Sequence, residues 1–183
     1  MDLPTSVSRD GATLAFVRQT TDTSGDVYVL DLHGETKPRA VVNTPAYEGG
    51  AQFSPDGRWM AYASDESGQM QVYVRPYPGP DRKYPVSTQG GSQPLWNRNG
   101  RELSYRNAHK MMVVDVTTSP GLVLSQPRQL FEQRYAFLTT TIPNYDISAD
   151  GQRFVMVKDE SGSGRLNVIL NWHEELRLVP TGK

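Results

Sequence analysis

No cysteine occurs in this sequence of 183 residues. Its absence excludes a disulfide framework, a Cys-ligated zinc and a thiol nucleophile. Charge of one sign is lacking too, with 19 basic side chains against 20 acidic ones and a formal net charge of −1. Such a chain projects no field toward a phosphate backbone or an anionic membrane. Its Lys and Arg are scattered rather than striped, so nucleic acid is not an expected partner. Apolar runs stop at about five residues, as from Trp59 to Ala63, against the ~20 that a bilayer-spanning helix needs. No basic-then-apolar leader opens the sequence, so neither an export signal nor membrane insertion is expected, and the compartment stays undetermined. Catalytic signatures are missing as well. His33, His109 and His173 have no paired ligand spacing, and His173-Glu174-Glu175 lacks the second His of a zinc-binding helix. There is no Gly-x-Ser-x-Gly elbow. What the sequence does have is turn formers: 16 Gly and 13 Pro, above an ordinary combined share of about 12 %.

Those turn formers are ordered. Val7-Ser8-Arg9-Asp10-Gly11 precedes an apolar run from Thr13 to Val17, and Phe53-Ser54-Pro55-Asp56-Gly57 precedes one from Trp59 to Ala63. Trp96-Asn97-Arg98-Asn99-Gly100 precedes Glu102 to Tyr105, and Ile147-Ser148-Ala149-Asp150-Gly151 precedes Arg153 to Val157. In each copy an apolar strand ends, Asp or Asn bonds nearby backbone, and Gly takes a positive φ to reverse the chain. A third strand follows each time, at Asp26–Asp31, Gln71–Arg75, Met111–Asp115 and Leu166–Asn171. A weaker fourth is expected near 39–42, 83–87 and 127–131, with none evident after Asn171. There the stretch from Trp172 to Leu178 reads as a short helical turn. The glycines at 11, 57, 100 and 151 recur about every 45 residues, the period of a four-stranded propeller blade. Around Trp59–Ala63 both alternating sets of side chains are apolar, as in a sheet covered on both faces.

The run Phe53-Ser54-Pro55-Asp56-Gly57-Arg58-Trp59-Met60-Ala61-Tyr62 resembles the WD-repeat-like blade motif of TolB-type propellers. The other copies are looser, with Arg9, Arg98 and Ala149 where the motif prefers Pro. The stretches Val72-Tyr73-Val74-Arg75-Pro76-Tyr77-Pro78 and Leu170-Asn171-Trp172-His173-Glu174-Glu175-Leu176 resemble the propeller region that follows the kinase domain in some bacterial serine/threonine kinases. No His-Arg-Asp, Asp-Phe-Gly or Gly-rich phosphate loop accompanies them, so kinase activity is not expected. The resemblance implies an all-β partial propeller of four four-stranded antiparallel blades, at approximately 1–45, 46–88, 89–133 and 134–183 of a single domain. It also implies an extracytoplasmic parent protein. Such propellers usually have six or more blades, so this one reads as a fragment or an open arc. An open arc leaves apolar ends, and a homodimer would close an eight-blade ring.

Strand direction places the loops between strands two and three, and those between blades, on the rim opposite the Ser-x-Asp-Gly turns. That rim gathers Asp22, Asp26, Asp65, Glu66, Asp159 and Glu160, with Asp-Glu-Ser-Gly occurring at both 65–68 and 159–162. A non-catalytic surface for a protein or peptide would use Tyr47, Gln89, Arg134, Tyr135 and Tyr145, the tyrosines serving as rigid anchors. This reading needs no cofactor. The alternative, implied by lactonase- and phosphotriesterase-type propellers, is a metal-assisted hydrolase of esters or phosphotriesters. Glu48, Gln93, Asn144 and Asp146 would hold a divalent cation such as Ca²⁺ in the channel, with His109 and Glu48 as catalytic groups.

Overall fold

The computed structural model describes residues 1–20, 24–34, 37–139 and 142–157, with 158 and 165–169 as backbone alone. The expected loop residues Asp22, Asp159, Glu160 and Gly162 lie outside these, as do the helical turn from Trp172 and the absence of a strand after Asn171.

The first sheet runs β1 (Asp2–Val7), β2 (Thr13–Arg18), β3 (Asp26–Asp31) and β4 (Arg39–Val42) in that spatial order. The second repeats it with β5 (Glu48–Phe53), β6 (Trp59–Ser64), β7 (Gln71–Pro76) and the two-residue β8 (Tyr84–Pro85). The third holds β9 (Ser92–Trp96), β10 (Glu102–Asn107) and β11 (Lys110–Thr117), and its outer position is shared by β12 (Val123–Leu124) and β13 (Arg128–Glu132). β14 (Tyr145–Ile147), β15 (Phe154–Lys158) and β16 (Arg165–Ile169) form a three-stranded fourth sheet among the described residues. Every pairing is antiparallel and joins chain neighbours, apart from β13 on β11. The all-β partial propeller expected from the repeat is therefore present, with one amendment. β12 was not anticipated, because β11 runs two residues past Asp115 and its final Val116 and Thr117 take a separate partner. The fourth sheet shows three strands among the described residues, and the stretch after Ile169 lies outside them.

The Ser-x-Asp-Gly turns share one hydrogen-bond pattern. In the first, Ser8 Oγ donates to Asp10 Oδ1 at 2.5 Å, Ala12 N–H donates to the same oxygen, and Thr13 N–H donates to Ser8 Oγ. Ser54 with Asp56 and Ser148 with Asp150 repeat that pattern. Gly11, Gly57, Gly100 and Gly151 hold φ of +73°, +71°, +70° and +73°, which a side chain would strain. Each hairpin thus enters its second strand in one register.

Packing then orders the sheets into an arc. Ala15, Val27, Val29, Met60 and Tyr62 form a core between sheets one and two. Ala61, Val72, Val74, Trp96, Leu103 and Val114 fill the gap between two and three, and Met111, Val113, Tyr145, Phe154 and Met156 the gap between three and four. Met60 and Ala61 are neighbours on β6 yet belong to different cores, as expected for a sheet covered on both faces. Burying one such Met or Val side chain contributes about 1.5–3 kcal/mol.

Candidate functional site

On the rim formed by the inter-blade loops, polar side chains are used to hold the arc together. Glu48 opens β5 and is fully buried, and its N–H donates to Gly25 O at 2.7 Å. Its carboxylate accepts from the Thr44 N–H and the Thr44 hydroxyl. Burial raises the Glu48 pKa above the usual carboxylate value, the Thr44 bonds oppose the rise, and the charges of Asp26 and Glu66 add to it. Tyr47 is half-buried, and its N–H donates to Asp65 Oδ1 at 2.8 Å.

A second group surrounds Arg106, a residue of β10 that is 1 % exposed. Its guanidinium donates to Ala136 O at 2.6 Å, Ala108 O at 3.1 Å, Tyr135 O at 3.3 Å and Asn144 Oδ1 at 3.3 Å. Asn144 Nδ2 donates to Ala136 O, and the buried Tyr145 hydroxyl donates to Gln93 O at 2.8 Å. Gln93 sits at φ +54° and its Nε2 donates to Thr139 O. Tyr135 is buried, with its hydroxyl donating to Gln133 Oε1. So Gln93, Tyr135, Asn144 and Tyr145 come together, but as a staple joining blade three to the following loop rather than as an open site. Burial drives the Tyr145 pKa above the ordinary tyrosine range.

The remaining expected residues lie elsewhere. Gln89, His109 and Arg134 are exposed, and the Gln89 and His109 carbonyls accept from Asn107 Nδ2 and the Gln133 N–H. Asp146 lines the channel at the turn rim. Among the described residues no group of three or more His, Asp or Glu could hold a metal ion. Arg106 was not anticipated, although an Arg inside the middle strand of a blade was a visible signal.

The concave surfaces lie on the turn rim instead. A cavity of about 630 Å³ is framed by the last residues of the innermost strands β1, β5, β9 and β14, with Arg9 and Arg98 at its edge. A neighbouring cleft of about 560 Å³ separates the blade-two and blade-three turns, and a third of about 670 Å³ lies between the turns of blades one and two. Arg9 and Pro55 line all three, and Arg9 donates to Pro55 O at 3.4 Å. No functional residue was expected on this rim. Its signal was Arg9 and Arg98 standing where the motif prefers Pro.

A family model for the TolB beta propeller domain matches residues 3–132 of this chain. The chain belongs to the TolB beta propeller family. Its fold is similar to that of TolB from Acinetobacter baumannii, at a TM-score of 0.70 and 18 % identity, over 93 % of this chain and 40 % of that one. It is also similar to an oligogalacturonate lyase in complex with manganese, at a TM-score of 0.63 and 13 % identity, over 92 % of this chain and 50 % of the lyase. The periplasmic gluconolactonase of Pseudomonas aeruginosa gives a TM-score of 0.52 and 19 % identity, over 90 % and 55 %. This TolB-type chain therefore spans about half the length of these proteins or less, and the likeness is one of fold.

Proposed function

We propose that residues 1–183 act as one non-catalytic propeller module that binds a protein or peptide partner, as the propeller part of a larger sensor-type protein. The observation that carries the reading is the turn rim, where three open concavities meet at Arg9 and Pro55 while the opposite rim holds its polar groups in internal bonds. Periplasmic gluconolactonase among the structural neighbours supports a location outside the cytoplasmic membrane for the parent protein. No described helix is long and apolar enough to cross a membrane.

The test is turnover on a panel of activated esters and phosphotriesters, with and without EDTA. Flat activity is expected. Turnover that EDTA removes, and that Glu48→Gln or Asp146→Asn abolishes in a folded protein, overturns the module reading in favour of a hydrolase using a divalent cation such as Ca²⁺.

Completion of the ring by a second copy is part of the proposal. Leu14 lies opposite Leu30 and Phe16 opposite Tyr28 on the face of sheet one that turns away from the Ala15–Val27–Val29 core. The two rings stack at 5.8 Å with the Arg18 guanidinium across both, and Leu14, Tyr28 and Leu30 stay partly exposed. Another blade would bury that face. Light scattering should give a particle of two 20.4 kDa chains, and a one-chain particle at micromolar concentration refutes the dimer alone.

A further inference from the structure

The four turns share one geometry but not one charge. Asp10, Asp56 and Asp150 each accept from their own turn's Ser hydroxyl and from a backbone N–H two residues on. In blade three the acid is replaced by an amide: Asn99 Oδ1 accepts from the Arg101 N–H at 2.8 Å, and Asn97 Nδ2 donates to Glu102. The turn keeps its shape, loses its negative charge, and is flanked by Arg98 and Arg101.

The acids that line the cleft between the blade-two and blade-three turns already have cations. Asp56 pairs with Arg58 at 3.0 Å, and Asp115 shares Arg128 with Glu102, at 3.6 Å against 2.9 Å. The lining arginines are in the opposite condition. Arg9, Arg98 and Arg101 are exposed, line the cleft, and make no ion pair with any described residue. Arg9 reaches the Pro55 carbonyl, and a Cβ on Gly100 would sit 3.7 Å from the Pro55 ring, so the arginine-bearing turns of blades one and three flank the same proline. Beside them the channel mouth supplies apolar surface at Val7, Leu95 and Trp96, of which Val7 is 52 % exposed. Asp146, on the blade-four side of that mouth, carries the opposite charge and steers an anion toward blades one and three.

We propose that this joined cleft and channel mouth binds an acidic peptide segment, with carboxylates on Arg9 and Arg98 and an interleaved apolar side chain on Val7, Leu95 and Trp96. Cations spread across two adjoining concavities, with apolar surface between them, suit a linear ligand whose charges are spaced along a chain. A compact phosphate would instead call for donors converging on one point. Guanidinium–carboxylate pairs of this kind are charge-assisted and can be bidentate.

The inference rests on the module reading and names its ligand class. Its test is fluorescence anisotropy of the intact chain with a labelled Glu-Leu-Glu-Leu-Glu peptide, and with the Lys-Leu-Lys-Leu-Lys peptide as control. The acidic peptide should bind saturably and more weakly as salt rises, and the basic one should not bind. The Arg9→Gln/Arg98→Gln pair should weaken binding by roughly tenfold or more without changing the unfolding temperature. Arg153→Gln, on the same rim but paired with Asp150 at 3.2 Å, should leave binding unchanged. Unchanged affinity in the double variant overturns the proposal. So does tighter binding of an oligothymidylate or of phosphatidylglycerol vesicles. With flat ester and phosphotriester turnover such a failure removes the ligand class alone, whereas EDTA-sensitive turnover removes the module reading.

Discussion

The two rims of the arc use polar residues in opposite ways. On the inter-blade rim Glu48, Gln93, Arg106, Asn144 and Tyr145 are buried or half-buried, and their bonds run to neighbouring loops. On the turn rim the Ser and Asp of three hairpins satisfy one another within five residues, and in blade three Asn97 and Asn99 bond within the turn and its following strand, leaving the other turn side chains unneeded for local structure. Identical backbone geometry therefore tolerates Arg9, Pro55, Arg98 or Ala149 at the same place. A rim whose structure is self-contained is free to vary its charge, whereas a rim that joins blades is not. The contrast can be broken at either end.

The largest effect belongs to the joining rim. Arg106→Ala would leave the buried Tyr135 carbonyl without this donor, leave the buried Ala136 carbonyl only Asn144 Nδ2, and strip the part-buried Ala108 and Asn144 oxygens, and a buried group left unpaired costs about 1–3 kcal/mol. We expect a loss of roughly 3 kcal/mol or more in urea denaturation, with Arg106→Lys recovering only part because an ammonium cannot span the same acceptors. A loss under about 1 kcal/mol would show that the staple is dispensable. Gly91→Ala comes next. Its Cβ would lie 2.6 Å from Ser87 Oγ and 3.0 Å from the Tyr105 ring, between the outer edge of blade two and the start of blade three. Overpacking of this order costs about 1–3 kcal/mol. A variant as stable as the parent would mean that the inter-blade rim can yield.

Glu48 gives the same rim a pH signature. Its folded pKa is raised by burial above the 4.5 of a free Glu, so the folded state holds that proton more tightly than the unfolded state does. Its contribution is therefore fully present below pH 4.5 and is lost as pH rises through the folded value. Glu48→Gln should gain stability relative to the parent between pH 4 and neutrality. The sign reverses if the Thr44 bonds outweigh desolvation, and paired denaturation curves at the two pH values would show it.

Much of the fold was legible because the repeat is a backbone requirement written in residues. A positive φ needs Gly, an Asx bond needs Asp or Asn, and β4 at 39–42 fell where the blade's weaker fourth strand was expected. The binding surface was less so. Tyr135 and Tyr145 looked like exposed anchors because they stand in loops, yet both are buried, since the Tyr135 and Ala136 carbonyls and the Asn144 side chain close on Arg106 and nothing local reports that contact. Glu48 and Asp146 were expected as co-ligands on the resemblance to lactonase- and phosphotriesterase-type propellers. Glu48 turns to Thr44, while Asp146 looks onto the turn-rim mouth. Strand pairing is a short-range property of sequence, and the destination of a loop side chain is not.

The smallest effect on stability, and the sharpest contrast between turns, comes from Asn99→Asp. Asn99 Oδ1 already accepts from the Arg101 N–H, and a carboxylate oxygen accepts that bond at least as well. Stability should therefore stay within about 0.5 kcal/mol of the parent, as for most exposed substitutions. The new charge would stand beside Arg98 and Arg101 and make the blade-three turn resemble that of blade two, where Asp56 is matched by Arg58. Affinity for an acidic peptide should then fall by a few-fold, and by less at high salt, where screening already weakens the attraction. If the variant binds such a peptide as the parent does, the amide in blade three is a neutral variation on the hairpin. If binding falls while the unfolding curve does not move, the turn-rim charge is separable from the fold, as the self-contained hairpins require.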